Sequence, residues 1–290
     1  MVNETINTTD NNKDWDLIIQ PKKHLLDIDL HELWKYRDLI ILFVQRDFKA
    51  RFKQTILGPL WFVLNPLLST FIYTIIFNRI AQIPTEGKPS YLFYLAGIIG
   101  WNYFAACLNG TSSTFTGNAG IFGKVYFPRL VVPISTIISN LFQFFIQFGL
   151  FLAFMIYYSI VNNEIYFTYG LIYVPFILIL LSLIAFGFGI LISSLTTKYR
   201  DLSNLLGFGM QLWMYATPII YPISFIPKEY KIFVLLNPIA PLIEAFKFGL
   251  IGGGSINWYY LCYSLGFTVV VVIAGVLVFN KVENTFMDTV

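Results

Sequence analysis

The sequence predicts an all-α integral membrane protein with six transmembrane helices, an amphipathic helix before the first, and two short re-entrant helices between the fifth and sixth. Of 290 residues, 57% are hydrophobic and only 12% are charged, whereas about a quarter of residues are charged in a soluble domain. Stretches without Asp, Glu, Lys or Arg occur at residues 54–78, 89–123, 130–163, 165–197, 202–227 and 248–280. Each is longer than the roughly 20 residues that a helix needs to cross a membrane. Segment 171–181 is apolar on every face, unlike the alternating strands of a barrel.

The basic residues predict which side of the membrane each loop occupies. We place the spans at about residues 57–78, 91–113, 131–159, 170–195, 204–222 and 257–280. The side that carries both termini then holds fourteen of the nineteen Lys and Arg residues. By the positive-inside rule this side is cytoplasmic. Residues 1–32 are therefore expected to form a cytosolic tail, 33–56 the amphipathic helix and 57–283 the six-span membrane domain.

Residues 33–56 carry both charged and apolar residues at helical intervals. The charged set is Lys35, Asp38, Arg46, Lys49 and Lys53, and the apolar stripe is Ile41, Val44, Phe48 and Phe52. This pattern predicts an amphipathic helix that lies in the cytoplasmic interface. The alternative is a charged flank that only fixes the topology of the first span.

The cytoplasmic loop at 114–130 is long enough to hold a short helix that a soluble partner grips. It contains Gly117, Gly120, Gly123, Lys124 and Pro128. A bare connecting loop is the default interpretation of such a segment.

The external segment 223–253 contains two apolar pieces, residues 232–237 and 242–251, separated by Pro238 and Pro241. A piece of about ten residues spans only about 15 Å as a helix, half of the hydrocarbon core. Neither piece crosses the membrane, so we predict a pair of re-entrant helices that closes the external end of a pathway. The alternative is a loop that lies flat on the outer surface.

The residues that intramembrane chemistry needs are missing from the predicted spans. No span core contains a charged residue, and both histidines, His24 and His31, lie in the N-terminal tail. This argues against an embedded hydrolase, a metal-dependent enzyme or a proton-coupled carrier. Gly123-Lys124 is followed by Val125 rather than Ser or Thr, so the chain has no phosphate-binding loop there. An energy source must come from another subunit, and the net charge of +3 does not indicate nucleic acid.

Two patterns in the spans predict helix packing. Thr136, Asn140, Gln143 and Gln147 share one face of the third span, which favours hydrogen bonds between helices. Ala185, Gly189 and Ser193 in the fourth span follow the small-xxx-small register of a close-packed seam. The two cysteines, Cys107 and Cys262, lie in apolar runs and indicate neither a disulfide framework nor a zinc site.

Aromatic residues in the first, second and fifth spans are the candidates for a substrate path. They are Trp61, Tyr73, Tyr94, Trp101, Tyr103, Trp213, Tyr215 and Tyr221. Aromatic rings offer an apolar face, and Tyr and Trp add one hydrogen-bonding group, which suits sugar rings that slide past. From the residues alone, aromatic belts at the membrane interfaces explain most of them equally well.

A series of motifs in order along the chain carries a family resemblance. It consists of Leu33-Trp34-Lys35-Tyr36-Arg37-Asp38-Leu39, Arg46-Asp47-Phe48-Lys49-Ala50-Arg51-Phe52-Lys53-Gln54-Thr55, Leu57-Gly58-Pro59-Leu60-Trp61, Pro66-Leu67, Phe127-Pro128-Arg129, Tyr199-Arg200-Asp201, Thr217-Pro218-Ile219-Ile220-Tyr221, Asn237-Pro238 and Glu244-Ala245-Phe246. Over residues 33–283 the series resembles the membrane subunits of polysaccharide-exporting ABC transporters, the O-antigen, capsule and teichoic-acid export permeases.

The resemblance implies an inner-membrane permease of a bacterium that pairs with a second copy of itself and with two copies of a separate ABC ATPase subunit. It implies no cofactor in this chain, with ATP and Mg²⁺ on the partner subunit. The implied substrate is a glycan on an undecaprenyl-diphosphate lipid. Because the channel of the family is lined by the first, second and fifth spans, the resemblance favours the aromatic lining over interface belts.

The resemblance also implies roles for particular residues. Contact with the ATPase is implied for Gly123, Lys124, Phe127, Pro128, Arg129, Tyr199, Arg200 and Asp201. The external gate is implied to contain Pro227, Asn237, Pro238, Pro241 and Glu244. We expect Arg46, Arg51, Lys53 and Arg129 to attract the lipid diphosphate at the cytoplasmic mouth, although positive-inside topology explains them equally well.

Three other functions stay open at this point. An ABC exporter of drugs or small lipids has the same six-span plan. A pore without an ATPase is compatible with charge-free spans, but it leaves the amphipathic helix and the loop at 114–130 without a use. An intramembrane glycan transferase conflicts with the lack of an embedded acid or base.

Overall fold

A computed structural model describes residues 30–53, 57–164, 166, 168–199, 201–253 and 256–285. Within these ranges the chain forms eleven α-helices and no β-strand, which confirms the predicted all-α class. Most of the predicted tail, as well as Gln54, Thr55 and Arg200, lies outside the described residues.

The predicted amphipathic segment forms two helices, α1 (Leu30–Lys35) and α2 (Arg37–Phe52). Of the predicted apolar stripe, Val44 is buried, whereas Ile41 and Phe48 are exposed on the chain, and the Phe48 ring lies 5.6 Å from that of Phe142 in the third span. The position of this helix in the membrane interface stays a prediction. Helix α2 packs against the third span, and its buried side centres on Phe43, whose ring meets the edge of Phe127 at 5.6 Å. Phe43 and Val44 are therefore buried against the protein, whereas Ile41 and Leu42 stay exposed on the chain.

Five helices are long and apolar enough to cross a membrane, or six if one sharply bent helix pair counts as a span. The first span comprises a 3₁₀ turn at Gly58–Leu60, α3 (Trp61–Tyr73) and a π-helical end at Thr74–Ile80. The others are α4 (Ser90–Ser112), α6 (Val131–Asn162), α7 (Val174–Thr196) with a preceding 3₁₀ turn at Tyr169–Tyr173, and α11 (Trp258–Thr285).

Four shorter helices complete the described chain, and one of them, α8 (Leu202–Tyr215), follows α7. Helix α5 (Thr114–Phe122) lies in the loop after α4, so that loop contains a short helix rather than a bare connection. The other two, α9 (Lys228–Leu236) and α10 (Ala240–Ile251), meet at an angle of 96°.

The predicted fifth span, 204–222, was too long. Helix α8 (Leu202–Tyr215) has 14 residues and is therefore about 21 Å long. It ends before Thr217, whose backbone is restricted by the following Pro218. Residues 217–220 then form turns that are buried in the protein.

Helix α4 is the centre of the bundle and packs against α3, α6, α7 and α10. Eleven of the twelve residues of α10 are buried, Phe248 being the exception. Helix α10 is therefore packed inside the protein rather than exposed on its surface. Re-entry of the α9–α10 pair into the membrane stays a prediction.

A second cluster of buried aromatic residues joins α2, α5 and the end of α11. Phe115 of α5 stacks on Phe279 of α11 with ring centroids 4.5 Å apart, and Phe122 lies 5.6 Å from Phe127. The Phe115 amide also donates to Ser193 Oγ of α7 over 3.0 Å. Helix α5 is therefore held against the ends of two membrane helices.

Both packing predictions for the spans are confirmed. Asn140 of α6 accepts a hydrogen bond from Arg51 of α2 over 2.7 Å, and Asn140 Nδ2 lies 3.8 Å from Cys107 Sγ of α4. Gly189 of α7 leaves room for Thr111 of α4, whose hydroxyl lies 3.3 Å from the Ala185 carbonyl.

Candidate functional site

The eight aromatic residues of the predicted path divide into two groups. Tyr94, Trp101 and Tyr103 belong to α4 and are buried in the core of the chain. The Tyr103 hydroxyl is 2.6 Å from Ser182 Oγ of α7. In this arrangement these three side chains pack helices together and do not reach the surface of the chain.

The other five aromatic residues, Trp61, Tyr73, Trp213, Tyr215 and Tyr221, remain partly or largely exposed. Tyr73 of α3 reaches α8, where its hydroxyl lies 3.9 Å from Met214 Sδ. The Tyr221 hydroxyl donates to the Tyr215 carbonyl over 3.0 Å. The structure therefore brings three tyrosines together where α3 meets α8, whereas Trp61 lies at the other end of α3 and Trp213 packs inward against Phe188.

Helices α3 and α8 are the least covered membrane helices of the chain. Only Pro66 and Thr70 are buried in α3, and only Met210 is buried in α8. The exposed residues of these helices include polar side chains, namely Asn65 of α3 and Ser203, Asn204 and Gln211 of α8. Polar side chains at membrane depth face protein or water rather than lipid. Sequence reasoning missed Asn65 and Gln211, although isolated amides in apolar runs are a detectable signal.

Three of the four predicted anion-binding residues contact the protein. Arg46 forms an ion pair with Asp47 at 2.8 Å, and Arg51 donates to Asn140. Arg129 donates to the Glu283 carbonyl oxygen and lies 5.6 Å from the Phe122 ring. Partial burial lowers the pKa of the Arg129 guanidinium, and the charge of Glu283 opposes this change. Lys53, at the end of α2, is exposed.

Five of the eight predicted ATPase-contact residues follow α5 directly, within the segment 123–129. Gly123 and Lys124 are exposed, whereas Phe127 and Pro128 are buried and anchor the segment to the protein. The exposed side of α5 is formed by small residues, namely Thr116, Gly117 and Gly120. Tyr199 and Asp201 are exposed in the short connection between α7 and α8, and Arg200 lies outside the described residues.

The predicted gate residues surround the bend between α9 and α10. Asn237 Oδ1 accepts from Trp213 Nε1 over 2.9 Å and from the Ile239 amide over 3.1 Å. Its Nδ2 donates to Thr217 Oγ1 over 3.0 Å and lies 3.3 Å from the Ala216 carbonyl. The Asn237 side chain therefore links the end of α8 to the bend between α9 and α10. Pro227 and Pro238 flank α9, and Pro241 lies in the first turn of α10.

Glu244 of α10 is buried and forms an ion pair with Lys247 one turn later, at 3.0 Å. Lys247 Nζ also lies 4.2 Å from the centre of the Phe93 ring of α4. The sequence predicted no partner for Glu244, although the i, i+3 spacing of opposite charges in an apolar stretch is the signal for this pair.

Comparisons with known proteins give a consistent result. A model of the family described as ABC-2 type transporter matches residues 38–251. The O-antigen export system permease protein RfbA of Klebsiella pneumoniae is 31% identical over 254 residues, which cover 87% of this chain and 94% of the relative. A protein of that name from Myxococcus xanthus is 28% identical over 75% of this chain and 82% of its own length. The polysialic acid transport protein KpsM of Escherichia coli is 24% identical over 84% of this chain and 93% of its own length.

Proposed function

Because this chain belongs to the ABC-2 type transporter membrane family, we propose that it is the permease subunit of an ATP-driven exporter of a lipid-linked polysaccharide. Relatives named for O-antigen export and for polysialic acid transport, similar over most of the chain, support polysaccharide as the substrate class. The chain is a transport subunit and not an enzyme in this proposal. ATP and Mg²⁺ bind a separate ATPase subunit, and the membrane is the bacterial inner membrane.

The observation that carries the proposal is the uncovered surface of α3 and α8. Its polar side chains have an energetic cost against lipid. A second copy of the chain that faces this surface would enclose Asn65, Gln211 and the tyrosines Tyr73, Tyr215 and Tyr221 in one path. Tyrosine rings and amides suit sugars because the rings contact apolar C–H faces while the amides bind hydroxyl groups.

Helix α5 is the proposed contact with the ATPase subunits. Its exposed side of small residues lets another protein approach the backbone closely, and Lys124 adds a positive charge beside it. A force applied there would pass into α7 through the Phe115–Ser193 hydrogen bond and into α11 through the Phe115–Phe279 stack. Motion at the cytoplasmic end would thereby reach the bundle. Lys53 and Arg129, close to the first and third spans, are the proposed contacts of the lipid diphosphate.

The first test is ATP hydrolysis by the chain reconstituted in bilayers with its ATPase subunit, with and without lipid-linked polysaccharide. We expect the glycan to stimulate hydrolysis several-fold. The variants Trp61→Ala and Tyr215→Ala should lose that stimulation while the complex stays assembled, because both side chains are exposed on the surface of α3 and α8 that would face the glycan. Tyr259→Ala, which removes an exposed tyrosine of α11 away from α3 and α8, is the matched control and should respond as the wild type does.

The second candidate function is export of drugs or small lipids, which the uncovered apolar residues of α8 favour. An assembled, active complex that ignores the glycan and is stimulated by small lipids or drugs would establish that alternative. If Trp61→Ala and Tyr215→Ala retain glycan-stimulated hydrolysis as the control does, the aromatic surface has no part in the mechanism.

A further inference from the structure

A cleft of 540 Å³ lies at the end of the bundle opposite α5. It is enclosed by the loop before α4, the turn at Ile223–Phe225, helices α9 and α10, and the start of α11. Its polar and aromatic lining consists of Glu86, Ser224, Lys231, Glu244, Asn257 and Tyr260. Its volume lies within the range of about 300–1,000 Å³ that is usual for ligand pockets.

The Glu86 carboxylate in this cleft is only half satisfied. Its Oε1 accepts a hydrogen bond from Ser224 Oγ over 2.8 Å. Its Oε2 is buried and has no hydrogen-bond partner within the described part of the chain. A buried acceptor without a partner is costly, so rotation of the Glu86 carboxylate toward the cleft, where a ligand donates a hydrogen bond to it, would be favoured.

The charges around the cleft select among donors. A metal ion in the cleft would be repelled by two positive charges. One is Lys231 in the lining, and the other is Lys247, which pairs with the lining residue Glu244. The described residues also contain no group of three His, Cys, Asp or Glu side chains that could hold a metal. A sugar hydroxyl fits better, because it donates to Glu86 and accepts from Lys231 or Asn257. The Tyr260 ring adds an apolar surface for the C–H face of a sugar.

We propose that this cleft binds a short stretch of glycan after it has crossed the membrane. The inference rests on the proposed function, since the ligand is the exported polysaccharide itself. Glu86 accepts hydroxyl donors of the sugar, Lys231 and Asn257 donate to its oxygens, and Tyr260 packs on one ring. Occupation of the cleft would hinder the chain from sliding back between successive transport steps.

The experiment is saturation-transfer NMR on the assembled permease–ATPase complex in nanodiscs. The probe is the water-soluble glycan released by mild acid from the polymer that the producing cells export. We expect saturation of the glycan by the wild-type complex and at least tenfold weaker binding for Glu86→Gln and Tyr260→Ala. Tyr260→Phe retains the ring and should bind as the wild type does. The matched control is Glu229→Gln, which alters an exposed carboxylate of α9 outside the cleft and should change nothing.

Equal glycan binding by all variants, or no binding by a wild-type complex that exports polysaccharide in cells, would overturn the inference. So would displacement of the probe by millimolar Ca²⁺, or Glu86-dependent binding of dihexanoyl-phosphatidylethanolamine without glycan binding. Assembly of each variant is checked by co-elution with the ATPase. A wild-type complex that exports no polysaccharide in cells would refute the proposed function instead, so the two failures are distinguishable.

Discussion

At the residue scale, the contact between Arg51 and Asn140 joins the interfacial helix α2 to the third span. Arg51 Nη2 donates to Asn140 Oδ1 over 2.7 Å, and its Nη1 lies 3.5 Å from Gln143 Oε1. The sequence predicted hydrogen bonding for the polar face of α6 because the amides recur at helical spacing. The partner was not predictable, since no local pattern relates Arg51 to residues about ninety positions later.

We expect a double-mutant cycle on Arg51→Ala and Asn140→Ala to show a coupling free energy of about 1 kcal/mol. Charged hydrogen bonds contribute about 1.5–3 kcal/mol when buried, and the exposure of Arg51 reduces this value. The measurement is the free energy of unfolding of the chain in detergent micelles. Lys49→Ala, on the same helix, should change stability by less than about 0.5 kcal/mol. Additive effects of the two substitutions would show that Arg51 does not stabilise the contact with α6.

At the element scale, the seam between α4 and α7 depends on a glycine that lets the two helices approach closely. A Cβ atom added to Gly189 would overlap the Thr111 hydroxyl, whereas one added to Gly149 of α6 meets nothing within 4 Å. The small-xxx-small pattern predicted the seam correctly. It did not identify Thr111 as the contact of Gly189, because the pattern lies in α7 and does not show which residue of α4 faces it.

Gly189→Ala should destabilise the chain by about 2 kcal/mol or more, since overpacking typically costs 1–3 kcal/mol. The matched substitution Gly149→Ala should be neutral or stabilising, because alanine is favoured over glycine inside a helix by about 1 kcal/mol. The measurement is the melting temperature of each variant, monitored by size-exclusion chromatography after heating. Adding Thr111→Ala to Gly189→Ala should recover part of the loss. Equal melting temperatures for the two glycine variants would contradict this account of the seam.

In the α9–α10 pair, the break between the helices was predictable from the local sequence, but the burial of α10 was not. Pro238 and Pro241 predicted the break between two short apolar pieces, and the structure has the break at that place. The burial of α10 was not predictable, because an apolar run has no preferred side until its neighbours are known. The same limit applies to Tyr94, Trp101 and Tyr103, which are buried in the core of the chain.

At the scale of the whole molecule, composition and charge spacing were sufficient for the helical class and for most of the spans. The length of helix α8 was not predictable in this way, because a run without charges shows that a segment is hydrophobic but not that it is one continuous helix. Pro218 ends this helix early. The uncovered surface of α3 and α8 is a property of one chain in isolation. Its polar residues are the reason for the proposal of a second copy or an aqueous path beside this surface.

The distribution of basic residues predicts the orientation of the whole molecule, with α5 in the cytoplasm and α9 outside. In a Cys107→Ala, Cys262→Ala background, Glu229→Cys should react with a membrane-impermeant maleimide in intact cells. Thr116→Cys and Lys281→Cys should react only after lysis, because α5 and the end of α11 then lie inside. All three positions are exposed on the chain, so reactivity reports the side of the membrane and not burial. The reverse pattern would invert the topology and would place the glycan-binding cleft in the cytoplasm, where it would meet the substrate before transport.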